Sequence, residues 1–161
     1  MEDSAQDLFD KQNNKNLKKI SREGLKYLYD KNILENTETF VRINSQKSEF
    51  YQHDVQTISS ILEKKSSIKG IFLPKVENYN QIKDCYDQLS TSKKNKFTIV
   101  PMIETEKGLK NLDKILLQDK FNDIIKYVHY GHYDFCLDSN FWPFPEPYHF
   151  EYWKIIEEIS K

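Results

Sequence analysis

Four apolar segments of the chain are each followed by side chains of the kind that carry out chemistry. Arg42 lies near the end of the first segment, Lys75 and Glu77 follow the second, Glu104 follows the third and Asp134 follows the fourth. Two carboxylates without a cluster of cysteines or histidines suit a hard cation such as Mg²⁺, which prefers oxygen ligands and retains waters. A guanidinium nearby suits a substrate carboxylate or oxo group, because its planar fork presents parallel donors. These residue types predict a magnesium site beside a small, oxygen-rich substrate.

The apolar segments have the composition of strands, and helical periodicity fills the gaps between them. They are Thr39–Asn44, Ile68–Leu73, Phe97–Ile103 and Ile125–Tyr130. Strands separated by helices pair in parallel through right-handed crossovers. This order predicts an α/β fold, either a (β/α)₈ barrel or an open doubly wound sheet. In a parallel barrel the carboxyl ends of all strands open onto one face, which would bring the four polar ends to one mouth.

Each of these side chains also has an ordinary structural explanation. Arg42 could pair with a neighbouring carboxylate, and Asp134 could cap a turn after Gly131. Glu104 could simply favour the N-terminus of the next helix, where the helix dipole stabilises an anion. Their occurrence at the same point of successive strands favours a shared site.

Composition excludes several classes of function. Lysine and arginine total 24 against 25 acidic residues, which leaves a net charge of −1 and no basic surface for nucleic acid or an anionic membrane. No apolar run approaches the roughly 20 residues of a membrane-spanning helix. The glycine-rich fingerprints of nucleotide-binding folds are absent from the sequence as well. We therefore expect a cytoplasmic protein that binds neither nucleic acid nor membrane.

Five short motifs together resemble a known family. Arg42–Asn44 (RIN), Leu73–Glu77 (LPKVE), Ile103–Thr105 (IET) and Gly131–Phe135 (GHYDF) look like successive signatures of the HpcH/HpaI aldolase and citrate lyase beta-subunit family. The opening Glu2–Ser4 (EDS) is similar to that family's acidic motif at the end of an earlier strand. One such motif is weak, but five in order and at suitable spacing are fairly specific.

The resemblance implies a metal site with named roles. Glu104 and Asp134 would ligate Mg²⁺, or Mn²⁺ as an alternative, and Arg42 would bind the oxygen at the reacting carbon. These three would be the catalytic residues. Lys75 and Asp3 would orient the metal ligands from behind. The metal would polarise a carbonyl and stabilise the enolate that forms when a carbon–carbon bond breaks or forms.

The resemblance also implies a fold and a substrate. The fold would be a parallel (β/α)₈ TIM barrel of the phosphoenolpyruvate/pyruvate type, with residues 1–161 forming a single partial catalytic domain of about four βα units. Backbone amides around Gly131, His132 and Tyr133 would hold the carboxylate of a small 2-oxo acid. A complete barrel has eight strands and about 250 residues. We therefore expect further strands before Met1 and after Lys161, in a longer chain or a partner, and a homo-oligomer.

Three functions remain open at this point. The first is a Mg²⁺-dependent carbon–carbon lyase or aldolase that acts on a small 2-oxo acid or related carboxylate. The second is a binding or accessory protein that keeps the barrel scaffold without turnover. The third is a related metal-dependent thioester hydrolase. Metal binding separates the second from the others, and enolisation of the substrate separates the first from the third.

Overall fold

Helical segments separate the four strands along the chain, as the periodicity predicts. The structure is a computed structural model and describes residues 7, 10–64, 67–90, 97–119, 123–141 and 150–159, with the backbone alone at 151 and 152. The elements in chain order are α1 (Lys11–Asp30), β1 (Thr39–Arg42), α2 (Tyr51–Leu62), β2 (Ile68–Leu73), α3 (Tyr79–Leu89), β3 (Thr98–Ile103), α4 (Glu106–Lys110), α5 (Leu112–Asp119), β4 (His129–Tyr130), α6 (His132–Asp138) and α7 (Phe150–Ile159). None of the described helices is both long and apolar enough to cross a membrane.

The four strands form one parallel sheet in sequence order, β1-β2-β3-β4. The prediction of neighbouring parallel strands is therefore confirmed, and the shuffled order of a doubly wound sheet is absent from the described strands. The register places Arg42 of β1 beside Phe72 of β2 and Phe72 beside Val100 of β3. Met102 of β3 lies beside His129 of β4. The carboxyl ends of all four strands consequently lie at one edge.

The fourth strand is shorter than the apolar segment Ile125–Tyr130 predicts. Apart from His129 and Tyr130, it pairs with β3 through a single bridge between Ile125 and Ile99. At its start the amide of Ile99 donates to the carbonyl of residue 124 over 3.0 Å, and side chains add further bonds. Asp119 accepts hydrogen bonds from the amides of residues 124 and 125, and the hydroxyl of Thr98 donates to the carbonyl of residue 124. Periodicity cannot reveal these contacts, because it indicates which face of an element is apolar and not which side chains bond to the backbone.

One face of the sheet packs against the helices. Ile71 of β2 and Ile43, which follows β1, are completely buried there, with Ile58 of α2 and Ile82 of α3. Burying a branched aliphatic side chain contributes about 1.5–3 kcal/mol, so this layer provides much of the stability. Cys85 of α3 lies in it as a buried free thiol.

The other face of the sheet is concave. The rings of Phe40 and Tyr127 have centroids 6.2 Å apart, although three strand spacings of a flat sheet would separate β1 from β4 by roughly 14 Å. Phe72 of β2 and His129 of β4 also meet, with centroids 5.6 Å apart across the intervening strand. The sheet is therefore a curled half-barrel, consistent with part of a TIM-barrel-type fold.

Candidate active site

Glu104 is the buried centre of the polar cluster. It directly follows β3, and its side chain is only 3% exposed. Oε2 accepts a hydrogen bond from the amide of Lys75 over 3.0 Å, and Oε1 lies 3.6 Å from Nη2 of Arg42. Burial raises the pKa of Glu104, Arg42 opposes that rise and the charge of Asp134 adds to it. A carboxylate buried with so few partners is suited to receive a cation.

The turn after β2 brings Lys75 to this carboxylate. The backbone of Lys75 is left-handed, with φ 55°, a conformation that non-glycine residues rarely adopt. The next amide, of Val76, donates to the carbonyl of Met102 over 3.2 Å and ties the turn to β3. Gly108 of α4 packs directly under the carbonyl of Val76, where a Cβ atom would collide. These contacts fix the turn so that the amide of Lys75 points at Glu104.

Asp134 lies on the same side of the sheet as Glu104. It stands in the first turn of α6, half-buried, with its side chain 24% exposed. Its Oδ2 lies 2.9 Å from Nζ of Lys75. The next residue, Phe135, is buried against the ring of Tyr130, which anchors α6 to the end of β4. The structure therefore brings Glu104, Asp134, Arg42 and Lys75 together at the carboxyl edge of the sheet.

Arg42 faces the concave side of the cluster. Its side chain is 39% exposed, so the guanidinium can contact a ligand while it remains near Glu104. It also acts on β4: burial, and then the charge of Arg42, lower the pKa of His129. The guanidinium therefore pairs with the carboxylate after β3 and is also close enough to β4 for its charge to act on the imidazole.

Gly131 fits this arrangement for two reasons. Its amide donates to the carbonyl of Ile103 over 3.0 Å, which continues the pairing of β3 with β4. Glu104 also occupies the space that a Cβ atom at residue 131 would need. His132 and Tyr133 follow at the exposed start of α6, next to Asp134. Asp3, the other residue expected to orient the metal ligands, lies outside the described residues.

Glu77 points elsewhere, although the sequence places it near the same mouth. Its carboxylate lies 2.9 Å from Nζ of Lys107 and 3.6 Å from Nζ of Lys47. The hydrogen bond from Lys107 is the main cause that lowers the pKa of Glu77. This ion-pair cluster holds the loop after β2 against α4. It has a structural role distinct from that of the polar cluster.

The oxygen donors of Glu104 and Asp134 fit a magnesium ion in part. Among the described residues, no three His, Cys, Asp or Glu side chains converge as a complete metal-binding group. Mg²⁺ is commonly held by one or two carboxylates, with waters and substrate oxygens completing its shell. Both carboxylates now engage nitrogen cations or an amide, which are contacts that a metal ion could replace. The donor set is thus chemically suited to a hard cation.

Two contributions to this geometry escaped the sequence analysis. One is the backbone of Lys75, which contacts Glu104 independently of the side chain. The other is Gly108, whose amide also donates to the hydroxyl of the helix-capping Thr105. Threonine is a preferred N-cap residue, so Thr105 does mark the helix start. Nothing in the sequence indicates that Val76 packs against that glycine.

Comparisons with known proteins agree with this fold. The profile of the family described as HpcH/HpaI aldolase/citrate lyase matches residues 8–142. Among solved structures, the chain is similar to RipC from Yersinia pestis, with a TM-score of 0.59 and 15% sequence identity. That similarity covers 84% of this chain but 53% of RipC, so the chain spans about half the length of this structural relative. A comparison with curated protein sequences gives no match.

Proposed function

Because the chain belongs to the HpcH/HpaI aldolase/citrate lyase family, we propose that it forms part of a Mg²⁺-dependent carbon–carbon lyase. The substrate is a small 2-oxo acid or a related carboxylate. Glu104 and Asp134 hold the metal, with Mn²⁺ as an alternative to Mg²⁺, and Arg42 is the third catalytic residue. The remaining strands of the barrel come from further chain or from a partner subunit, and the enzyme is a homo-oligomer.

One observation supports the metal site more than any other. A single residue, Lys75, contacts both proposed ligands: its amide donates to Glu104 and its ammonium pairs with Asp134. The two carboxylates must therefore lie within the reach of one lysine, although 30 positions separate them in sequence. Their proximity would be costly without positive charge between them, because like charges disfavour joint ionisation. A site of this kind is suited to a divalent cation.

The proposed chemistry divides between the cation and the protein. A cation held by Glu104 and Asp134 would supply positive charge that polarises the substrate carbonyl. Arg42 donates hydrogen bonds to the oxygen on which negative charge develops as the carbon–carbon bond breaks. These bonds stabilise the transition state more than the ground state. The backbone at His132 and Tyr133 positions the substrate carboxylate. The amide of Gly131 already donates to Ile103, so its contribution is to make room for Glu104.

Solvent deuterium exchange tests this function directly. The protein is incubated with pyruvate and other 2-oxo acids in D₂O, with and without Mg²⁺, and proton NMR follows loss of the C3 proton signal. We expect exchange that depends on Mg²⁺ and is absent from Asp134→Asn. Metal binding without exchange, together with hydrolysis of an acyl thioester, would favour the hydrolase. Failure to bind metal at all would favour the non-catalytic scaffold protein.

A further inference from the structure

Lys75 reaches both proposed metal ligands through different parts of the same residue. Its backbone amide donates to Oε2 of Glu104 over 3.0 Å, and its Nζ lies 2.9 Å from Oδ2 of Asp134. The amide contact does not involve the side chain, because it depends only on the backbone of the turn. The ammonium is therefore the separable part. In this structure it forms the ion pair with Asp134.

The turn after β2 holds the backbone of Lys75 in place. The left-handed backbone at this residue, with φ 55°, is fixed by the adjoining contact of Val76 with the carbonyl of Met102. Since strained backbone persists only where its surroundings over-determine it, this turn is a rigid platform. The side chain of Lys75, by contrast, is 45% exposed and can rotate into solvent. The platform can thus stay while the ammonium moves.

We infer that the ammonium of Lys75 is an internal competitor of the metal ion. In the metal-free protein it offsets the negative charge of Asp134 beside that of Glu104. When a divalent cation binds the two carboxylates, it repels the ammonium and takes over its contact. This inference rests on the proposed metal site and adds a regulatory role: Lys75 keeps the site ordered when empty and limits its affinity when a cation arrives.

Removal of a competitor and removal of a residue that orients the ligands should change metal affinity in opposite directions. Loss of an orienting contact weakens metal binding, whereas loss of a competitor strengthens it. The replacement Lys75→Met keeps the backbone amide and much of the side-chain length but removes the charge. We expect its Mg²⁺ affinity, measured by calorimetry, to rise about three- to tenfold, the range expected for breaking a half-exposed ion pair and removing a nearby positive charge.

A matched control separates direct competition for the site from the long-range electrostatic effect of removing one positive charge. Lys107 has the same 2.9 Å ion-pair distance, but its partner is Glu77 rather than a proposed ligand. Lys107→Met therefore removes one positive charge close to the same loop without freeing either carboxylate. We expect it to change Mg²⁺ affinity less than about twofold.

A second measurement needs no variant. If the metal displaces the ammonium, the amine of Lys75 becomes more reactive towards an acetylating reagent when Mg²⁺ is added to the unmodified protein. Mass spectrometry of the peptide that contains Lys75 reports this, and Lys83, paired with Asp87 on α3 at 2.9 Å, serves as an internal reference. We expect the acetylation rate of Lys75 to rise at least about twofold and that of Lys83 to stay constant.

The outcomes separate this inference from the proposed function. If the unmodified protein binds Mg²⁺ but Lys75→Met binds it equally or more weakly, the competitor role is wrong and the metal site stands. Unchanged acetylation of Lys75 on Mg²⁺ binding would overturn the role in the same way. If neither protein binds Mg²⁺, the inference and the metal site both fail. Binding by Lys75→Met alone would support the inference strongly.

Discussion

The side chain of Glu104 lies directly on the backbone of Gly131, in the space where any other residue would carry its Cβ atom. Two neighbouring strands thereby fix one carboxylate. Glu104 follows β3, and the backbone against which it packs is that of Gly131 at the end of β4. The amide of Gly131 donates to the carbonyl of Ile103. The position of the proposed metal ligand thus depends on a glycine in another segment of the chain.

Replacing Gly131 with alanine should displace Glu104. The added Cβ would overlap Cγ and Oε1 of that residue, and overpacking of this kind costs about 1–3 kcal/mol. Urea denaturation should show that loss, and calorimetry should show weaker Mg²⁺ binding. Gly24→Ala is the control, because nothing lies within 4 Å of the added atom on α1. That variant should be more stable by about 0.5–1 kcal/mol. Normal stability and Mg²⁺ binding in Gly131→Ala would contradict the packing described.

The Glu104→Gln variant should separate charge from shape. The amide retains an oxygen for the N–H of Lys75 and fills the same buried space, so the fold should remain intact by circular dichroism. Mg²⁺ affinity should fall by about tenfold or more, since one of two charged ligands is lost, and deuterium exchange into 2-oxo acids should stop. Glu77→Gln is the matched control, because the carboxylate of Glu77 pairs with Lys47 and Lys107 rather than with the proposed metal site. Unchanged metal affinity in Glu104→Gln would end the proposed metal site.

Arg42→Lys should affect the rate of the reaction rather than metal binding. Lysine retains the positive charge near Glu104 but lacks the planar fork that presents two donors to one oxygen centre. We expect Mg²⁺ affinity within about twofold of the unmodified protein and an exchange rate lower by roughly tenfold to a hundredfold, somewhat less than the loss of a whole oxyanion donor. Calorimetry and the deuterium-exchange assay measure the two quantities separately. A loss of metal affinity with an unchanged rate would contradict the role assigned to Arg42.

Sequence periodicity predicted the order and direction of the strands because both follow from local patterns and crossover rules. The strand β2 and the helix α3 match their apolar stripes, and the end of β3 places Glu104 where a barrel strand should deliver it. The positions of Arg42 and Asp134 relative to Glu104 follow from the same rule, since successive parallel strands end at one edge.

Contacts that depend on tertiary geometry could not be predicted in this way. In the sequence, Glu77 and Lys75 both follow β2 and are equally good candidates for the site. In the structure, the carboxylate of Glu77 instead pairs with Lys47 and Lys107. Which of two neighbouring side chains faces the site depends on the left-handed backbone at Lys75. That conformation is stabilised by Met102, on another strand. A non-glycine residue gives no sequence signal for it.

The ion-pair cluster of Glu77 should make stability depend on pH in a defined direction. Lys107 and Lys47 lower the pKa of Glu77 in the folded protein. A lowered folded pKa contributes stability above the unfolded value near 4.5, and that contribution is lost as the pH falls through the folded pKa. Glu77→Gln should therefore be less stable at neutral pH by roughly 0.5–1 kcal/mol. The difference should vanish under acidic conditions, as urea denaturation across the pH range can measure. A constant difference at all pH values would show that packing, not charge, is responsible.

The concave face should make these 161 residues self-associate when nothing covers it. Phe40 is 39% exposed and Tyr127 is 60% exposed on that face, and within the described sheet β1 pairs only with β2 and β4 only with β3. Exposed aromatic surface and unpaired strand edges both promote association in water. Light scattering coupled to size exclusion should therefore show oligomers or aggregates of the chain. Tyr127→Lys should reduce them, whereas Tyr27→Lys, which alters a side chain 59% exposed on α1, should have little effect. A monodisperse monomer that unfolds cooperatively would show that the half-barrel is stable with both edges open.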